Sequence, residues 1–150
     1  MAHEPENVVL TNMCMIYDDE GNILVQNRKK SWKGIAFPGG HLNPTESVVD
    51  STIREVKEET GLDISQLRFC GIKQWNKNNV RYIVILLKTK CYEGELTSNE
   101  EGENFWIPRK ELFNYQLADN FEFMLEVFEN EEKIEHYHNN NEFGKFDLLK

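Results

Sequence analysis

GHLNPTESVVDSTIREVKEETGL, residues 40–62, is the stretch on which the reading of this 150-residue chain turns. It carries Glu46, Glu55, Glu58 and Glu59, a single arginine, Arg54, and two glycines, Gly40 and Gly61. Its local signals are those of a helix. Asn43 suits an N-cap, Pro44 suits the first helical position, and Glu46 stands three residues after Asn43, as in a capping box. Gly61 supplies a residue able to turn left-handed past the last turn, so the spacing predicts a helix over residues 44–60, from Pro44 to Thr60.

At about 100° per residue, Val49, Ile53, Val56 and Thr60 fall within one arc that is expected to face the core. Glu55, Glu58 and Glu59, spaced i, i+3 and i+4, share a surface roughly opposite it. Like charges at this spacing cost roughly 0.2–0.5 kcal/mol per pair in an isolated helix. A hard divalent cation would reverse the sign of that term. Carboxylate oxygens suit Mg²⁺ or Mn²⁺, and Mg²⁺ characteristically takes phosphate oxygens as further ligands. Taken alone, the three glutamates also fit a solvated acidic helix face.

The whole pattern is more specific than its glutamates. Gly-x5-Glu-x7-Arg-Glu-aliphatic-x-Glu-Glu-x-Gly-aliphatic specifies nine positions, and from average residue usage a chance match is on the order of 10⁻⁹ per starting point. All nine are present from Gly40 to Leu62. In this the stretch resembles the signature box of the Nudix hydrolase family. The preceding AFPGG, Ala36 to Gly40, resembles the strand and loop that enter the box in MutT-type members.

That resemblance implies an α/β (α+β) fold: a Nudix-type α/β/α sandwich with a mixed sheet between the box helix and a C-terminal helix. It implies Mg²⁺-dependent hydrolysis, with Mn²⁺ as a substitute, of a nucleoside diphosphate linked to a further group X. The metal ligands implied are the Gly39 carbonyl with Glu55, Glu58 and Glu59. Glu101, preferred over Glu103 in the loop SNEEGENFWIP, would complete the shell. Glu55 is the expected general base, oriented by Arg54, and Glu101 is the runner-up; Glu58 is expected to be needed for turnover. Arg28 resembles a phosphate- or nucleotide-contacting arginine, and Asp119 and Asn120 stand where MutT-type members read a purine edge. A solvated loop for Arg28 and helix capping for Asp119 are the competing readings.

Likeness to small MutT-type proteins points to an oxidised purine nucleoside triphosphate such as 8-oxo-dGTP, cleaved to a monophosphate and pyrophosphate. Downstream markers of other subfamilies are missing: there is no proline of the ADP-ribose type, no tyrosine of the dinucleoside polyphosphate type within QWNKNN, and no NADH-type SQPWPF. The alternatives are hydrolysis of one of those other nucleotides, or a non-catalytic nucleotide-sensing module, which would be expected to have lost box carboxylates.

The rest of the chain reads as one domain over residues 1–150. It is 39% hydrophobic, enough for a single core. A net charge of -9 disfavours long nucleic acids, whose backbones demand a basic stripe, without excluding a nucleotide neutralised by a metal. The polar N-terminus MAHEPEN and the lack of a membrane-length apolar run predict a cytoplasmic protein with no membrane partner, acting as a monomer or homodimer. Cys14, Cys70 and Cys91 are odd in number and lack CxxC spacing, which argues against a disulfide framework and a zinc site, and they are expected to be buried thiols. His3, His136 and His138 are expected to be exposed and lack transition-metal spacing. His41 takes no assigned role.

Residues 8–17 and 23–28 read as the two strands of a hairpin around DDEGN. A basic loop with Arg28, Lys29, Lys30 and Lys33 follows, suited to steering a polyphosphate. Residues 67–75 and 80–92 read as a second hairpin around NKNN, and residues 105–107 as a short strand. Asp119 is expected to cap a helix over residues 120–130 that buries Phe121, Met124, Leu125 and Phe128. Residues 133–137 and 145–149 are expected to add a hairpin across HNNNEFG.

Overall fold

In the computed structural model, which describes residues 3–30 and 33–150, the chain runs β1 (Asn7–Ile16), β2 (Asn22–Arg28), β3 (Gly34–Ala36), α1 (Val48–Thr60), β4 (Asp63–Ser65), β5 (Arg68–Lys77), β6 (Val80–Thr89), β7 (Cys91–Glu93) and β8 (Gly102–Pro108). A 3₁₀ turn at Arg109–Asn114 leads to α2 (Phe121–Glu129), and the terminal hairpin is β9 (Glu135–Asn141) with β10 (Gly144–Leu149). The strands form a mixed five-stranded sheet in the order β1-β6-β5-β9-β10, a three-stranded sheet β3-β2-β8, and the pair β4-β7. Among the described residues no helix is long and apolar enough to cross a membrane.

Strand alternation shows why helices lie on both sides. Along β1, Cys14 and Ile16 point into a cluster with Val56, Leu62 and Ile64, beneath α1. Met13 and Met15, on the opposite face, join the cluster that holds Phe121, Met124, Leu125 and Phe128 of α2. On β2, Leu24 faces the first cluster, and Ile23 and Val25 the second. A period of two thus feeds two cores from the same strands, which is what an α/β/α layering requires. Phe37 anchors α2 by edge-to-face contacts with Phe121 and Phe128, at 4.9 and 5.1 Å between centroids.

The expected β5–β6 hairpin forms, closed by Asn78 and Asn79 at φ of 53° and 63°. These are the left-handed values a two-residue hairpin turn needs, and asparagine tolerates them. The terminal hairpin forms as well, over Glu135–Asn141 and Gly144–Leu149, and continues the large sheet through parallel pairing of β9 with β5.

Several expectations are corrected. β1 and β2 are not hairpin partners: they share one bridge, Tyr17 with Ile23, and lie in different sheets. One edge of β1 is taken by β6, in parallel. Its other edge is taken by the loop after β3, through Asn12 N–H to Gly40 O (2.8 Å), Cys14 N–H to Pro38 O (2.9 Å) and Leu42 N–H to Leu10 O (3.1 Å). No edge remains for β2.

Helix α1 begins at Val48, not Pro44, with Ser47 Oγ accepting from the Asp50 N–H. Thr45 at φ 68° interrupts helical geometry before it. Val49 is 46% exposed, and the buried face is Ser51, Thr52, Val56, Glu59 and Thr60. Its polar members are satisfied: Ser51 Oγ accepts from Asn12 Nδ2 of β1, and Thr52 and Thr60 donate to carbonyls one turn back. Glu59 is therefore not on the outer surface. Asp119 does not cap α2; the residue before the helix is Asn120, at φ 64° with no side-chain cap. His136 is fully buried, and Cys70 and Cys91 are only partly covered.

Candidate active site

The loop after β3 passes so close to its neighbours that it needs glycine. A Cβ on Gly39 would lie 2.0 Å from the Asn12 carbonyl oxygen, and one on Gly40 would lie 2.3 Å from the Glu55 carboxylate. Asn12 Oδ1 also accepts from the Gly40 N–H. Gly39 N–H donates to Glu59 Oε2 at 3.1 Å, with Gln26 Nε2 at 3.4 Å from the same oxygen. Asn104 donates to the Glu59 carbonyl and accepts from Gln26, closing a buried polar network under the helix end.

Glu59 is only 7% exposed, and its pKa is pushed up to about 7. Burial is the main cause, and the Glu55 charge adds to it. The Gly39 N–H, the Arg28 charge and the Gln26 amide act the other way.

Arg54 organises the outer carboxylates. Its Nε and Nη2 hold Glu46 in a two-point contact at 2.7 and 2.9 Å, and Nη1 reaches Glu55 at 2.9 Å and Glu58 at 3.2 Å. Nη2 also donates to the His41 carbonyl. Hydrogen bonds from Arg54, then from the Asn43 N–H, push the Glu46 pKa down to about 2, and the contacts with Glu46, then Glu55, raise that of Arg54. Arg54 does not line the cleft, so its place is behind the carboxylates.

A cleft of about 760 Å³ runs from this acidic corner across the sheet. Gly39, Glu55, Glu58, Glu59, Glu101, Arg28 and Asp119 all line it. Backbone bonds from Ile35 N–H to Gln116 O and from Ala118 N–H to Ile35 O stitch the segment before α2 onto β3 and set Asp119 there. The Glu101 loop is held over α1 by Asn99, which donates to the Glu58 carbonyl and accepts from the Glu101 N–H. Glu100 lines the cleft as well and pairs with Lys30, whereas Glu103 does not line it. Asn120 is not brought to this cleft; it lines an adjoining one with Lys33. The Nε of Arg28 is buried without a described hydrogen-bond partner, which suits a phosphate acceptor.

Sequence reasoning missed Lys73, Trp75 and Tyr82, which also line the cleft. Trp75 and Tyr82 are cross-strand partners with rings 5.1 Å apart and 5° from parallel, and Lys73 Nζ lies 5.2 Å from the Trp75 ring centre. Alternation along the β5–β6 hairpin, once its Asn-Asn turn fixes the register, is the signal that could have found them. The support residues Asn12, Gln26 and Asn104 left no such signal. They belong to three different strands or segments and meet only in the fold.

The sequence profile described as the NUDIX domain matches residues 9–130. The chain belongs to the Nudix hydrolase family. Among its curated relatives, "Uncharacterized Nudix hydrolase YvcI" of Bacillus subtilis is 29% identical over 111 residues, covering 70% of this chain and 69% of that protein. "Putative 8-oxo-dGTP diphosphatase YtkD" of the same organism is 44% identical over 88 residues, covering 59% and 52%. The crystal structure of a MutT protein from Bacillus halodurans superposes with a TM-score of 0.79 at 18% identity, covering 95% of this chain and 97% of that one, a likeness of fold. The chain spans 34% to 69% of the length of the first curated relatives it matches.

Nudix hydrolases generally use divalent metal ions, and the residues here fit one. The donors are all oxygens, and the most buried, Glu59, carries a charge that burial disfavours and a cation would stabilise.

Proposed function

We propose that this Nudix chain is a pyrophosphohydrolase of nucleoside diphosphates linked to X, and that its substrate is an oxidised purine nucleoside triphosphate, cleaved to the monophosphate and pyrophosphate. The observation that carries this is the mixed lining of one cleft: carboxylates, Gly39 and Arg28 together with aromatic rings and Asp119. Diphosphate and base each find complementary chemistry in its lining.

Gly39, through its carbonyl, with Glu55, Glu58, Glu59 and Glu101, would hold Mg²⁺, with Mn²⁺ as the substitute. The bound ion would offset charge on the diphosphate and make water a better nucleophile. Arg28 would hold a phosphate oxygen. Glu55 would take the proton of the attacking water, since Arg54 engages Oε1 and fixes the carboxylate's direction. The water oxygen bonds to phosphorus as the anhydride oxygen leaves with pyrophosphate.

Trp75 would stack on the base and Asp119 would accept from its edge. Asn120 would touch only a substrate extending into the adjoining cleft. Every residue invoked lies on one chain, so the reading is the same for a monomer and for each subunit of a homodimer. The names of relatives that mention 8-oxo-dGTP or 8-oxo-dGDP support the substrate class.

The test is Mg²⁺-dependent turnover across 8-oxo-dGTP, dGTP, ADP-ribose, NADH and diadenosine polyphosphates. Highest kcat/KM with 8-oxo-dGTP and release of pyrophosphate are expected. Preference for another nucleotide would overturn the substrate, and binding without turnover would favour a sensing module.

A further inference from the structure

His136 and His138 stand two apart on β9, so both imidazoles leave the same face of the sheet. On β10, Asp147 is the direct cross-strand partner of His138 and lies diagonal to His136, whose own partner is Leu149. Asp147 Oδ1 lies 2.6 Å from His136 Nε2 and 2.8 Å from His138 Nδ1. One ligand-capable atom from each of the three residues falls within 4.8 Å of the others. His136 is fully buried, while the side chains of His138 and Asp147 are 16% and 12% exposed. The group is thus walled on one side and open on the other, where His138 lines the cleft adjoining the active site.

We propose that His136, His138 and Asp147 form a site for a borderline transition-metal ion, Zn²⁺ or Co²⁺, distinct from the carboxylate centre, which clips the terminal hairpin together. Two imidazole nitrogens and one carboxylate oxygen are a donor set for Zn²⁺ and a poor one for Mg²⁺ or Ca²⁺, which take oxygen ligands. Contrary to the expectation that these histidines lack metal-site spacing, a His-x-His pair on a strand presents both rings on one face, and the hairpin register delivers the third ligand. The fourth position faces the open side and would take water.

Burial, the first cause, and the Lys73 charge lower the His136 pKa and favour the neutral ring, the form that ligates; the Asp147 contact opposes them. Lys73 itself, paired with His136 in the β5–β9 register, is a cation whose charge burial disfavours and which Asp147, Glu122 and Asp119 offset. The competing arrangement is a hydrogen-bonded triad in which both rings share one Asp147 oxygen. It requires no ion and responds to none.

The experiment uses the full chain stripped by chelation and then held in excess Mg²⁺, so that the carboxylate centre is saturated. Zn²⁺ is titrated by calorimetry and by thermal melting, and Co²⁺ by visible absorption. One Zn²⁺ per chain is expected. The melting temperature should rise on the order of 5–10 °C at a hundredfold excess over the dissociation constant, and Co²⁺ should develop low-symmetry ligand-field bands. His138→Ala should weaken Zn²⁺ binding by roughly 100-fold or more while Mg²⁺-dependent turnover stays within about twofold. Asp147→Asn is the second variant, should His138→Ala fail to fold, and is expected to lose the Zn²⁺ response likewise. Glu58→Gln should leave it intact. Absence of a saturable Zn²⁺ response in the unmodified chain, an unchanged response in both hairpin variants, or its loss in Glu58→Gln would each overturn the proposal.

Discussion

Replacing Gly40 by alanine tests the proposed role of Glu55 with a single methyl group. The added Cβ would lie 2.3 Å from the Glu55 carboxylate, whereas ordinary contact begins at 3.4 Å, so the carboxylate must retreat by roughly 1 Å. Gly40 is not among the residues of positive φ, and the obstacle is the far end of a flexible side chain, so the fold should accommodate the change. A displacement of about 1 Å in a positioning group costs roughly 10²-fold in rate, or about 2.7 kcal/mol in the barrier. The assay is initial-rate pyrophosphate release in saturating Mg²⁺, with a thermal melt on the same sample. A kcat reduced about 100-fold is expected, with a melting temperature within about 2 °C of the parent. Gly39→Ala is the contrast. Its Cβ would collide with backbone, the Asn12 carbonyl at 2.0 Å, and it should lose stability together with activity. Turnover of Gly40→Ala within twofold of the parent would refute the placement of Glu55 at the reacting water.

Glu58→Gln should lower kcat by roughly 10²–10⁴-fold with the fold intact, because Glu58 is largely exposed and, among the described residues, bonded through Arg54 and its backbone; near-normal turnover would remove it from the metal shell. Trp75→Ala should raise KM by roughly 5- to 150-fold, the equivalent of about 1–3 kcal/mol of base stacking, with kcat less affected; an unchanged KM for a purine nucleotide would place the base elsewhere. The Glu46–Arg54 pair should make stability pH-dependent with a defined sign. A carboxyl held down at about 2 stabilises fully above its ordinary value of 4.5 and loses that contribution as pH falls through about 2. Melting curves of the parent and Glu46→Gln should therefore differ most above pH 4.5 and converge near pH 2, and a constant difference would contradict the pairing.

Much of this was legible in residues 40–62. The glutamate spacing, Arg54 and the glycines needed only helical periodicity and local steric rules, and Gly61 closes α1 at φ 81° as that logic requires. The helix start was misread because Pro44 and Asn43 carry the right local signals, yet the chain must still turn at Thr45 to bring Glu46 beneath Arg54. The arc of Val49 failed for a related reason: α1 buries serine, threonine and glutamate in satisfied pairs, which hydropathy counts as surface.

Local sequence determined the box helix end, the Asn-Asn hairpin, the apolar face of α2 and the family, since each depends on residues within a few positions of one another. Tertiary structure alone decided that β1 abandons β2 for β6 and the glycine loop, that Glu59 is buried with a raised pKa, and that His136 and His138 meet Asp147. It also brought Trp75, Tyr82 and Asp119 into one cleft with the carboxylates. Those outcomes depend on which strand edges are already occupied and on contacts between distant segments. No periodicity within one segment encodes either.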